Sequence, residues 1–168
     1  MAHFRLRDDS KQWFKNITKT GSEELGLSLD FDGYYFCVIL GLATGRRSNP
    51  SDQSGRVTDM VERFPEPYRP QQRIIAGLLI WAELSRRGIA VTEKEAVQSV
   101  VVELLDAQSL TGLSNEGMSL LDRYASGGFD ALTERFEQKP YRLEQFAREV
   151  FGEIQAAVEN SEVWLYSA

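Results

Sequence analysis

The sequence predicts an all-α protein: one compact domain over residues 1–168, built from six or seven helices. Three observations predict it. Apolar residues recur at helical spacing in three long stretches, 70–87, 92–105 and 141–159. Glycines and Pro, Ser or Thr residues of the kinds that close and open helices punctuate them. A chain of 168 residues, 42% hydrophobic and 26% charged, has the length for one core and an ordinary globular composition.

Taken in order, residues 8–19 read as an amphipathic helix with Trp13, Phe14 and Ile17 on one face and Lys11, Lys15 and Lys19 on another. Residues 20–31 read as a loop in which Leu27, Leu29 and Phe31 alternate without an obvious partner strand. Residues 33–44 are apolar all round, and their length favours a buried helix with Gly45 as a left-handed cap. A polar loop, 46–56, follows. Val57 to Phe64 reads as a short helix capped by Thr58. Pro70 suits the first position of a helix that ends at Gly88 and carries Ile74, Ile75, Leu78, Leu79 and Trp81. Thr92 and Glu95 have capping-box spacing for the next helix. Ser114 caps another, which the costly pair Gly127-Gly128 is expected to end in a tight corner. Phe129 to Phe136 then forms a short helix closed by Pro140, and 141–159 forms the last. The tail, 161–168, holds Trp164, Leu165 and Tyr166 outside any helical stripe and is expected to pack back or dock on a partner.

Charge is unevenly placed in this chain of net −6. Residues 1–84 hold eleven basic and eleven acidic side chains, and 85–168 hold eight and fourteen. An acidic half repels phosphate, so DNA contact is expected from the N-terminal half. The first residues lack the apolar core of a secretory signal. The longest apolar runs, 34–43 and 74–82, are shorter than the roughly 20 residues that span a bilayer. A cytoplasmic protein with no membrane partner is expected.

The catalytic inventory is thin. There is no phosphate loop, no GxGxxG and no GxSxG elbow. One Cys and one His exclude a Cys/His zinc site within the chain. His3 is the sole imidazole, which leaves Cys37 and every serine without a credible base. Cys37 itself lies within an apolar run and reads as core. Asp130, Glu137 and Lys139 match the short acidic–lysine pattern of some metal-dependent nucleases, a remote reading; a solvated helix end explains them as well. No cofactor is called for. The basic residues Arg46, Arg47 and Arg56, with Lys11, Lys15 and Lys19, are the candidates for DNA or phosphate contact. Salt bridges within the fold, or an offset to a helix dipole, compete for the two adjacent arginines.

The stretch DGYYFCVILGLATGRR, residues 32–47, resembles small helical accessory proteins of prokaryotic DNA phosphorothioation (Dnd) islands. The resemblance implies a non-enzymatic accessory or adaptor subunit of a DNA-modification or anti-phage defence complex, contacting a larger protein. Trp164, Leu165 and Tyr166 are the candidate partner contacts. The alternative is a DNA-binding module using the Arg46/Arg47 loop and the basic N-terminal helix.

Overall fold

Helical periodicity translates into six α-helices and one small sheet among the described residues. The computed structural model describes residues 3–19, 26–49 and 57–165, with side chains through residue 160. The helices are α1 (Asp9–Phe14), α2 (Asp30–Thr44), α3 (Gln72–Arg87), α4 (Lys94–Leu104), α5 (Asn115–Arg135) and α6 (Leu143–Leu165). Short 3-10 turns at Lys15–Ile17 and Glu66–Gln71 follow α1 and precede α3. The fold class is therefore all-α, as the apolar stripes imply. None of the described helices is long and apolar enough to cross a membrane.

The caps fall largely where side-chain chemistry demands. Gly45 and Gly88 close α2 and α3 with φ of 67° and 66°, a conformation that costs glycine little. The Ser114 hydroxyl accepts from Gly117 N at 3.0 Å and opens α5. The Thr92 capping box does not form. Glu93 stands at the N-cap of α4, and its carboxylate accepts from Ala90 N at 2.8 Å.

Further sequence expectations are corrected. Residues 57–64 are not a helix: Val57–Asp59 is strand β2, antiparallel to β1 (Arg5–Arg7) with Leu6 opposite Thr58. Pro65 and Pro67 leave too little room for a stable helix, and β-branched Val57 and Thr58 suit an extended strand. The Thr58 hydroxyl donates to Asp8 instead of capping. The segment 8–19 is helical only to Phe14, then tightens to 3-10, so the three lysines do not share one helix. Leu27 bridges to Thr18, and α2 begins at Asp30.

The largest correction concerns Gly127-Gly128, which lie inside one continuous helix, α5. They serve the crossing of α5 over α2. A Cβ on Gly128 would sit 1.8 Å from the Cys37 carbonyl oxygen, and one on Gly41 2.0 Å from the Tyr124 carbonyl oxygen. At Gly127 it would meet the Arg46 carbonyl oxygen at 2.4 Å. The two backbones touch where side chains would normally hold helices 8–10 Å apart. Burial along α5 from Gly117 to Phe129 offsets the helix penalty of the glycines.

Around this crossing sit two aromatic groups. Phe4 meets Phe31, Tyr34 and Phe64 edge-on, and Trp13 meets Phe14, Phe129, Phe136 and Phe146. The β-ribbon is tied to α5 by a buried carboxyl: Asp122 accepts from Arg5 N at 3.0 Å and from the Tyr34 hydroxyl at 2.9 Å. Burial pushes Asp122 up to about 7, against the opposing pull of those two hydrogen bonds. An unfolded aspartate titrates near 4. Between those values the native state holds a proton that the unfolded chain has released, so stability falls as pH rises from about 4 to about 7 and then levels. Asp122→Asn keeps an acceptor oxygen for both donors and removes this titration. Urea unfolding at about pH 5 and about pH 8 should show a smaller loss of stability in the variant than in the parent. An unchanged loss would show that other groups set the slope.

Candidate interaction surface

The predicted Arg46/Arg47 pair follows the end of α2, with Arg46 at the surface and Arg47 turned inward. Arg46 grips Glu134 of α5 with two hydrogen bonds, at 2.5 and 2.7 Å. Glu134 holds this arginine above its ordinary value, and the arginine holds the carboxyl below its own. Both side chains are largely exposed, so the pair adds little stability.

Arg47 is the buried member. Its Nη1 donates at 2.6 Å to Glu83, which is only 1% exposed on α3. The same Glu83 oxygen accepts from the Tyr124 hydroxyl of α5 at 2.9 Å. Its other oxygen accepts from Arg87 at 3.2 Å, and Arg87 in turn forks onto Glu103 of α4 at 2.7 and 2.8 Å. One buried carboxylate thus ties α3 to α5 and to the segment that follows α2, and Arg87 carries the link on to α4. Among the described residues, Arg47 Nε and Ser48 Oγ are buried with no partner, a cost of about 1–3 kcal/mol for each such atom. Arg47 is accordingly committed to a buried carboxylate, while Arg46 holds one at the surface.

Among the other predicted contacts, Lys11 pairs with Asp30 at 3.4 Å, while Lys15 and Lys19 are exposed. Arg56 lies outside the described residues. Trp164 and Leu165 fall in the last turn of α6 by backbone, so the helix runs further than predicted; Tyr166 lies outside the described residues. Asp130 is held by Arg7 at 2.6 Å, and Glu137 and Lys139 are exposed beyond the end of α5. Among the described residues, no three His, Cys, Asp or Glu side chains gather to hold a metal ion. Cys37 is fully buried, and burial raises its thiol well above the ordinary value, so it packs as core.

The surface that sequence reading missed is the outer side of α3. Ile75, Leu79 and Ala82 face the core, yet Ile74, Leu78 and Trp81 are 62%, 38% and 45% exposed. Their spacing of four and three residues stacks them in one stripe. Beside Trp81 an open cleft of about 620 Å³ runs between α3, the end of α2 and α6, lined by Leu42, Ala43, Trp81, Arg86, Ala156 and Ala157 among others. Glu153 also lines it, already paired with Arg135 at 2.9 Å. Val91, Val102, Leu110 and Tyr141 are exposed too, but each stands alone on its element. On α6, exposed Phe151 and Val158 lie among Glu144, Arg148 and Glu159, a face of mixed charge.

The signal was present in the sequence. Ile74-Ile75 and Leu78-Leu79 are adjacent apolar pairs one turn apart, which makes a stripe wider than one buried face needs. Compared with known protein families, curated proteins and solved structures, the chain matches none.

Proposed function

We propose that the chain is a non-enzymatic accessory subunit of a prokaryotic DNA-modification or anti-phage defence complex, acting by contact with a larger protein. The observation that carries the contact reading is the stripe Ile74, Leu78 and Trp81. A surface stripe with a tryptophan at one end of a cleft is the pattern of an interface anchor, because large aromatic side chains contribute most when a partner dries them. The setting in a defence complex rests on the resemblance of residues 32–47. The burial of Arg47 on Glu83 favours protein contact over the DNA-binding alternative, since it leaves only Arg46 of the pair at the surface.

A tagged chain recovered from its native cell, with and without nuclease treatment, tests the reading. The expected result is a larger protein that stays bound after nuclease and is lost when Leu78→Glu and Trp81→Ala are combined. Both residues are surface-facing, so circular dichroism should report an unchanged helical fold in the variant. Loss of every companion on nuclease treatment would transfer the case to DNA. Retention by the double variant would remove α3 from the account.

A further inference from the structure

We propose that the outer face of α3 receives an acidic amphipathic helix of the partner protein; this rests on the contact reading above and names its chemistry. The argument begins with charge. Between Gln72 and Arg87, α3 has a single acidic residue, Glu83, and that residue is buried against Arg47 and Tyr124. Arg87 is drawn into the same network. What α3 shows to solvent is therefore the stripe Ile74, Leu78 and Trp81 with Arg73 and Arg86, both exposed and neither with a carboxylate partner among the described residues. Arg69, in the turn that leads into α3, is exposed in the same way. In a chain of net −6, the charged side chains that α3 itself sets beside this stripe are positive, and Glu153 of α6, which also lines the cleft, is paired with Arg135.

Geometry narrows the occupant. The outer two of the three anchors stand seven positions apart, about two helical turns or roughly 10 Å of rise. That is the footprint of a helix presenting its own residues at four- and three-residue spacing. Carboxylates flanking that stripe would meet Arg73 near the start of α3 and Arg86 near its end, and forked guanidinium–carboxylate pairs would set register and direction. Arg86 shares the cleft with Trp81, so an acidic side chain reaching it passes alongside the aromatic anchor. A basic or neutral helix has the same apolar fit but leaves the arginines facing like charge or nothing.

The test uses the full chain and two synthetic helical peptides about five turns long, with one leucine pattern and either Glu or Lys in the flanking positions. Binding is read by fluorescence anisotropy of the labelled peptide. The Glu peptide should bind at least about tenfold tighter than the Lys peptide and weaken several-fold as salt rises. Trp81→Ala should abolish that binding. Arg73→Glu combined with Arg86→Glu should reverse the preference, a result that general stickiness of the apolar stripe does not produce. Binding of neither peptide, equal binding, or preference unchanged by charge reversal would overturn the proposal. Two other outcomes would also overturn it: Trp81-dependent adsorption to phosphatidylglycerol vesicles with no peptide binding, and Trp81-dependent self-association that the Glu peptide fails to disrupt. A nuclease-resistant companion lost with Trp81→Ala, together with failure of the Glu peptide, would leave the accessory-subunit reading standing and remove only the acidic helix.

Discussion

Gly128→Ala should destabilise the protein by about 3 kcal/mol or more, at the top of the range for forcing atoms into a filled interior. Alanine ordinarily improves a helix over glycine by about 1 kcal/mol, so intrinsic propensity predicts the opposite sign. Contact decides. The added methyl would lie 1.8 Å from the Cys37 carbonyl oxygen and 2.7 Å from Gly41 N, both backbone atoms of α2. Backbone cannot rotate away as a side chain can, so α2 and α5 must separate along their shared crossing. A control exists within the same molecule. Gly152 of α6 is exposed, and a Cβ there meets nothing within 4 Å. Gly152→Ala should therefore stabilise by about 0.5–1 kcal/mol. Urea unfolding of the two variants beside the parent gives both signs in one experiment. If both substitutions stabilise, the close crossing is not how the glycines act.

Glu83→Ala is the second large effect, with an expected loss of about 3–5 kcal/mol. The truncation leaves Arg47, 16% exposed, with its positive charge unanswered, and strips the acceptor from the buried Tyr124 hydroxyl. It also removes the i,i+4 partner of Arg87 within α3, although Glu103 of α4 still holds that guanidinium. Most of the loss is the penalty of stranding a buried charge, and the intact pair gives much less net stability. The two can be separated. Glu83→Met with Arg47→Met removes both charges, fills similar volume and should cost much less than Glu83→Ala alone. A double variant as unstable as Glu83→Ala would mean that the charges themselves, rather than their mutual pairing, hold α3 in place. The network bears on the proposed docking face because the same helix presents Trp81 on its other side.

Much of this fold was legible where local rules suffice. Gly45, Gly88 and Ser114 end or begin helices by their own backbone or side-chain chemistry, and all three stand where the residues indicate. What escaped depends on partners distant in sequence. The pair Gly127-Gly128 reads as a corner when only its helix penalty is weighed. Its purpose becomes visible once Gly41 and Cys37, more than eighty residues earlier, are brought against it. Strands β1 and β2 hold three residues each, too few for a period-two pattern, and their pairing is specified across fifty residues of chain. The surface was partly legible for the same reason. Adjacent pairs at 74–75 and 78–79 declare that α3 is apolar on more than one side. Which member turns inward depends on where the neighbouring helices lie. The arginine pair shows the converse: its type and position stood out, but Glu83 and Glu134, which claim it, lie 36 and 88 residues further along the chain.

The most direct test of α3 as the docking face is footprinting of the nuclease-treated native complex against the free chain. Hydroxyl-radical labelling of Trp81 and Tyr141 is read by mass spectrometry, since both side chains are exposed in the free molecule, Trp81 on α3 and Tyr141 in the segment before α6. The account predicts that Trp81 labelling falls several-fold in the complex while Tyr141 labels as before. Equal labelling of Trp81 in the two samples would contradict it.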